Sequence, residues 1–133
     1  ICWHLSGNFR SRFTDFLTSD GEKPWRKRDE EFEPRAVSRD ELLEKWEQGW
    51  RVLLEALDGL TDADLKRTVT IRNQPFSVTE ALLRSLAHAS YHVGQIVYAA
   101  KMARGDQWEY LSIPPGQSDQ YNQNPILDGP PAR

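Results

Sequence analysis

Three histidines are the residues whose type and spacing point most directly to chemistry. His88 and His92 are four positions apart, which places both imidazoles on one helix face, one turn apart. That spacing suits a shared metal ion, because neutral imidazole is a common ligand of divalent metals. His4 lies on another predicted helix, and it completes a three-histidine set if the two helices pack side by side. Three imidazoles with an open position form a catalytic pattern for Zn²⁺, and they also suit Ni²⁺ or Fe²⁺.

A structural role is the competing interpretation of the histidine pair, because buried imidazoles are also satisfied by ordinary hydrogen bonds. The segment HASYH lacks the glutamate of an HExxH motif, which argues against a zincin-type protease. No residue stands out as a general base, so the catalytic residues are left unassigned. Asn8, Arg12 and Gln95 are predicted to orient a substrate beside the histidines.

Charged residues between positions 22 and 35 have two interpretations. Arg26 and Arg28, with Arg12, are candidates for holding an anionic substrate, although surface ion pairs are the commoner fate of arginines. The carboxylates of this stretch are interpreted as a solvated face. They are Asp29, Glu30, Glu31 and Glu33. The stretch as a whole is predicted to be an ordered connector pinned by its two aromatic residues, Trp25 and Phe32.

Three long helices are predicted to position these groups. Apolar residues at spacings of three and four predict a helix from residue 1 to about 18, stopped by Asp20-Gly21. Ser38 with Glu41 predicts a capping box at the start of a second helix that ends at about residue 58. Ser77 with Glu80 does the same for a third helix that ends near Arg104. The third helix is predicted to pack through an apolar stripe and to be buried on most sides. The stripe comprises Leu82, Leu86, Ala89, Val93, Ile96, Val97 and Ala100.

The remaining segments predict a small hairpin or extended loop over 68–78 and an irregular tail over 112–133. We expect one all-α domain over 1–133, an up-and-down four-helix bundle of which this chain supplies three long helices. Because the chain starts with Ile1 inside a helix-like pattern, we expect that its N-terminus is missing. The fourth helix could precede Ile1 or come from a second chain. No stretch is long and apolar enough to predict a membrane span.

Composition excludes some classes of function. The chain has 133 residues with 17 Lys+Arg against 20 Asp+Glu, a net charge of -3, so nucleic acid is not an expected partner. Its single cysteine, Cys2, allows no internal disulfide, which favours a reducing, cytoplasmic location. The numerous aromatic residues, together with the apparent gap left by one bundle helix, favour a homodimer.

Longer segments carry a family resemblance. They are HLSGNFRSRFTDFLTSDGEKPWRKRD from His4, HASYHVGQIVY from His88 and WEYLSIPPGQSDQYN from Trp108. With these segments the chain resembles the DinB/YfiT-like superfamily of four-helix-bundle metalloenzymes, and more closely a bacterial branch described as a domain of unknown function. The resemblance covers His4 to about Asn122. It implies a metal triad at His4, His88 and His92, a Zn²⁺ or Ni²⁺ ion, and a homodimer.

The resemblance also implies an activity, because members of that superfamily include thiol-dependent transferases and isomerases as well as annotated hydrolases. We therefore expect a metal-dependent transferase or hydrolase that acts on a small molecule, with a low-molecular-weight thiol as a candidate cofactor. The alternative is a non-enzymatic, dimeric helical module that binds metal for stability or acts through partner binding. An open position on the metal would favour the enzyme, and a fourth protein ligand would favour the module.

Overall fold

The computed structural model describes residues 1–125, and those residues are mostly helical. The chain divides into two compact units, Ile1–Val97 and a second unit that begins at Tyr98. Every histidine belongs to the first unit. The second unit contains the end of the third long helix, a single 3-10 turn at Gly105–Gln107 and a short helix.

The first helix, α1, spans Cys2–Phe13. Its predicted apolar face is buried, with Leu5 and Phe9 each 1% exposed. The prediction that the helix continues to residue 18 is wrong, because Thr14 is extended and Asp15 has a positive φ of 50°. Asp15, a non-glycine residue in the left-handed region, interrupts the helical hydrogen-bonding pattern. Phe16, which follows it, still lies in the core.

The second helix, α2, spans Arg39–Asp58 and packs against α1. Its start is confirmed: the Glu41 amide donates to Ser38 Oγ, and the Ser38 amide donates to the Glu41 carboxylate. Gly49 allows the two helices to approach closely, since a Cβ atom there would lie 2.6 Å from Ser6 Cα. The ring of Trp50 packs 4.9 Å from that of Phe9 across the same interface.

A two-stranded antiparallel sheet follows a 3-10 turn at Asp62–Lys66, which confirms the predicted hairpin. Strand β1 spans Thr68–Ile71 and strand β2 spans Gln74–Ser77, with Ile71 paired to Gln74. The two turn residues, Arg72 and Asn73, both have positive φ, as a tight two-residue hairpin turn requires.

The third helix, α3, spans Val78–Arg104 and begins with the predicted capping box of Ser77 and Glu80. Its buried face differs from the predicted one. Leu86 is 63% exposed and Val93 is 36% exposed, whereas Ala81 and Ser85 are buried. Ala89, which belongs to the predicted stripe, is buried as well. The prediction that this helix is buried on most sides is therefore wrong for the described chain.

The short helix α4 spans Ser118–Gln123, so the predicted irregular tail is wrong at those positions. The rest of that predicted tail, residues 126–133, lies outside the described residues. Three long helices and one small sheet are present in residues 1–125, while a closed four-helix bundle stays a prediction. None of the helices described has the length and apolar character needed to cross a membrane. The single domain also stays a prediction.

Candidate metal centre

The structure brings the three histidines together from the two helices that carry them. His4 Nε2 on α1 lies 3.1 Å from His88 Nε2 on α3. His92 Nε2 lies 3.2 Å from the same His88 atom. One ligand atom from each of the three residues falls within 4.8 Å of the others. The side chains of two helices therefore converge on one point, although their positions in the sequence are far apart.

The spacing of these nitrogens fits a divalent metal. Tetrahedral Zn²⁺ holds imidazole nitrogens at about 2.0–2.1 Å, which places pairs of ligand nitrogens about 3.3 Å apart. The two nitrogen–nitrogen distances above are close to that value. The pairs His4–His88 and His88–His92 therefore have the spacing of ligands to one ion, and the full set lies within 4.8 Å.

Hydrogen bonds to the other ring nitrogens orient two of the three histidines. His4 Nδ1 donates to Glu31 Oε2 at 2.8 Å, and His92 Nδ1 donates to Gln95 Oε1 at 2.7 Å. The Gln95 amide is oriented in turn by Tyr91 Oη, to which its Nε2 donates at 3.2 Å. In the tautomer that carries its proton on Nδ1, each of these two rings turns an Nε2 lone pair toward the shared point.

His88 lies between these two lone pairs. Its Nε2 can carry one proton at most, so it cannot donate a full hydrogen bond to both neighbours. Its buried Nδ1 has no hydrogen-bond partner among the described residues. Burial, followed by the nearby charges of His92 and His4, lowers the pKa of His88 to about 4. His88 therefore stays neutral near pH 7, which is the form that binds a metal.

Glu31 is the main residue of the site that sequence reasoning missed. Its side chain is 9% exposed and accepts two hydrogen bonds from Arg26, at 2.8 and 2.9 Å, besides the bond from His4. Burial raises the pKa of Glu31, but the hydrogen bonds from Arg26 and His4 outweigh it, so the pKa falls below its usual value. The interpretation as a solvated face is wrong for Glu31, while Asp29, Glu30 and Glu33 are exposed.

The connector between α1 and α2 is held mainly by polar contacts. The Ser11 hydroxyl donates to the Gly21 carbonyl at 2.7 Å and accepts from the Lys23 amide at 3.1 Å. Arg12 also donates to the Gly21 carbonyl. The two aromatic residues predicted to pin the connector are about half exposed, Trp25 at 48% and Phe32 at 53%. The ring of Phe32 nevertheless lies 4.7 Å from that of His4.

Glycine on α1 makes room for the buried carboxylate. A Cβ atom on Gly7 would lie 2.1 Å from Glu31 Oε1, so only glycine admits the carboxylate at this distance. The 3-10 turn at Asp29–Phe32 presents Glu31 to that gap. A glycine in the middle of a helix is the signal that could have revealed this contact, because it usually marks a close approach of another group.

A cavity of about 540 Å³ opens beside the histidines. His4 and His88 line it, as do two of the residues predicted to orient a substrate, Asn8 and Arg12. The third, Gln95, contacts His92. The predicted roles of these three residues toward a substrate stay predictions. The cavity therefore adjoins the cluster at His4 and His88.

Comparison with known proteins gives the family. The family model described as "Protein of unknown function (DUF1572)" matches residues 1–117, and the chain belongs to that family. No curated protein matches the chain. No solved structure matches it either.

Proposed function

We propose that this protein is a divalent-metal-dependent enzyme whose ion is held by His4, His88 and His92. The observation that carries the proposal is the convergence of three Nε2 atoms at 3.1 and 3.2 Å. Two of those atoms present lone pairs when the ring proton lies on Nδ1, where Glu31 and Gln95 accept hydrogen bonds from it. Lone pairs that face one another repel, so a cation between them would stabilise the arrangement.

Zn²⁺ or Ni²⁺ are the proposed metals, and Fe²⁺ also suits the ligands. Such an ion would supply Lewis acidity and lower the pKa of a bound thiol or water. The proposed reaction is accordingly a thiol-dependent transfer or a hydrolysis on a small molecule, as the DinB-like resemblance implies. The open cavity beside the histidines supports an enzyme over a module with a closed, structural metal site. The predicted homodimer and the small-molecule substrate remain part of this proposal.

Replacing His4 tests the metal centre most sharply. His88 and His92 can chelate weakly as a helical pair, whereas His4 matters only if α1 brings it to the same ion. We expect His4→Ala to weaken Zn²⁺ binding by more than the ~10–100-fold that loss of an outer hydrogen-bond partner costs. Affinity would be measured on untagged protein by competition with a coloured chelator.

Asn8→Ala, one turn further along α1, is the matched control, because it keeps all three imidazoles and shortens a side chain in the same cavity. It should bind Zn²⁺ as the parent protein does. Equal Zn²⁺ affinity in His4→Ala and the parent protein would show that the three-histidine centre is wrong.

A further inference from the structure

Arginines dominate the polar lining of the cavity beside the histidines. Five of the residues that line it are arginines, supplied by α1, the connector, the hairpin turn and α3. They are Arg12, Arg26, Arg28, Arg72 and Arg84. Four separate parts of the first unit therefore bring guanidinium groups to one cavity of about 540 Å³.

Three of these arginines share only two carboxylates. Glu31 pairs with Arg26 and also accepts the bond from His4. Glu22 pairs with both Arg12, at 3.2 Å, and Arg72, at 2.8 Å. Two negative charges thus serve three guanidinium groups, so positive charge remains in excess within this part of the cavity.

The other two arginines have weaker partners. Arg28 lies 3.7 Å from a carboxylate oxygen of Asp29, whose side chain is fully exposed, and its guanidinium stacks over the ring of Phe32. Arg84 lies 6.0 Å from the centre of the Phe76 ring, and no acidic side chain in the described part of the chain forms an ion pair with it. Exposed contacts of this kind neutralise little charge.

The charge of the cavity contrasts with that of the chain. The protein has a net charge of -3, so a positive cavity does not simply follow from a basic surface. Burial lowers the pKa of Arg12, the charge of Glu22 opposes that effect, and Arg26 and Arg72 lower the pKa further. The arginines therefore repel one another, and an anion among them would relieve that repulsion.

We propose that this cavity binds a small molecule that carries at least two negative charges on oxyanion groups, either carboxylates or a phosphate. A guanidinium group presents two parallel N–H donors that match both kinds of oxyanion. The inference rests on the proposed function only in treating this anion as the substrate of the metal centre. Binding of the anion itself depends on the arginines and does not need the metal.

Calorimetric titration of the 133-residue chain, stripped of metal by a chelator and dialysed, tests the proposal. The probes are inorganic phosphate, succinate and, as a neutral molecule of similar size to succinate, succinamide. We expect at least one dianion to bind saturably at one site, and its affinity to fall as NaCl is added, because salt screens the arginines. Succinamide should not bind. Tighter binding of phosphate than of succinate would identify a phosphorylated ligand, and the reverse order a carboxylate.

Substitutions locate the site. Arg84→Gln and Arg28→Gln should each weaken binding of the dianion by about tenfold or more, since each removes a charge-assisted hydrogen bond to the anion. Arg51→Gln, on the exposed side of α2, is the matched control and should leave the affinity unchanged. Both lining variants remove one charge from an exposed residue, so neither is expected to prevent folding.

Two results would overturn the proposal. The first is that neither dianion binds saturably in the millimolar range. The second is that Arg84→Gln and Arg28→Gln bind the dianion as tightly as Arg51→Gln does. Because the titration uses metal-free protein, it tests anion binding independently of the metal proposal. Loss of Zn²⁺ binding in His4→Ala and loss of anion binding in the arginine variants are separate results, and either can occur without the other.

Discussion

His4 and His92 each donate a ring N–H to a side-chain oxygen, but the two oxygens are supported differently. Glu31, the partner of His4, is 9% exposed and is fixed by two hydrogen bonds from Arg26. Gln95, the partner of His92, lies on the same helix and is exposed. The two histidines on α3 are therefore positioned by helical spacing, whereas the orientation of His4 on α1 depends on a separate connector that folds back onto the helix. The histidine cluster thus combines a pair that is determined locally with a third residue whose position is determined by tertiary structure.

Replacing the two partners should give unequal effects. We expect Glu31→Gln to weaken Zn²⁺ binding by about 10–100-fold, since it removes the charge that orients His4 and leaves Arg26 without its ion pair. Gln95→Ala should weaken binding less, because water can reach His92 and replace the lost acceptor. Competition with a coloured chelator measures both. A larger loss in Gln95→Ala than in Glu31→Gln would reverse the comparison.

Glycine-to-alanine substitutions offer a second, smaller contrast. Gly7→Ala places a methyl group where the Glu31 carboxylate lies, so the carboxylate must move away from His4. We expect Zn²⁺ affinity to fall by about tenfold, toward the lower end of the effect of losing an outer partner. Gly94→Ala on α3 meets no atom within 4 Å and should leave Zn²⁺ affinity unchanged.

Thermal unfolding of the Gly7→Ala and Gly94→Ala variants provides a control for their stability. Gly94→Ala should raise the unfolding temperature slightly, because alanine favours a helix by ~1 kcal/mol over glycine. Similar Zn²⁺ affinities in the Gly7 and Gly94 variants would mean that Glu31 does not orient His4.

The smallest expected effect concerns the start of the connector. The Asp20 carboxylate accepts backbone N–H bonds from Glu22, Arg72 and Asn73, which ties the connector to the hairpin turn. Burial raises the pKa of Asp20, but these bonds outweigh it and lower the pKa to about 2. Since the folded pKa lies below the unfolded one, the ionised group stabilises the fold above pH ~4, and that stability is lost as pH falls through about 2.

Urea unfolding of Asp20→Asn checks this sign. At pH 7 the variant should be less stable than the parent by about 1 kcal/mol or less, because Asp20 is only partly buried and solvent screens its charge. The difference should persist to about pH 4 and shrink as the pH approaches 2. A stability difference that increases as the pH is lowered would contradict the role assigned to Asp20. The substitution should not affect α3 or its histidine pair.

Local patterns predicted the helices and part of the site, and they failed where tertiary contacts decide. The capping residues Ser38 and Ser77 gave the helix starts, because those hydrogen bonds join residues three positions apart. Periodicity also placed His88 and His92 on one face. Periodicity could not show which face of α3 is buried, since Leu86 is apolar yet exposed while Ser85 is buried.

The role of Glu31 could not be read from its neighbours in sequence. Three other carboxylates surround it within five positions, and they are exposed. Only the gap over Gly7 and the two hydrogen bonds from Arg26 distinguish it, and both depend on how the connector folds. Three of the five cavity arginines, Arg12, Arg26 and Arg28, were candidates from the sequence. Arg72 and Arg84 were not, because the hairpin turn and α3 reach the cavity only through the tertiary fold.

His4 and His88 are separated by 84 positions in the sequence, and this separation has a thermodynamic consequence. In the unfolded chain only His88 and His92 are close enough in sequence to bind one ion together. The folded chain adds the imidazole of His4. An ion that needs the full set binds the native state selectively and shifts the folding equilibrium by mass action, by about 2.7 kcal/mol when its free concentration is about 100 times its dissociation constant. The resistance of this chain to unfolding would then report how much metal its surroundings supply.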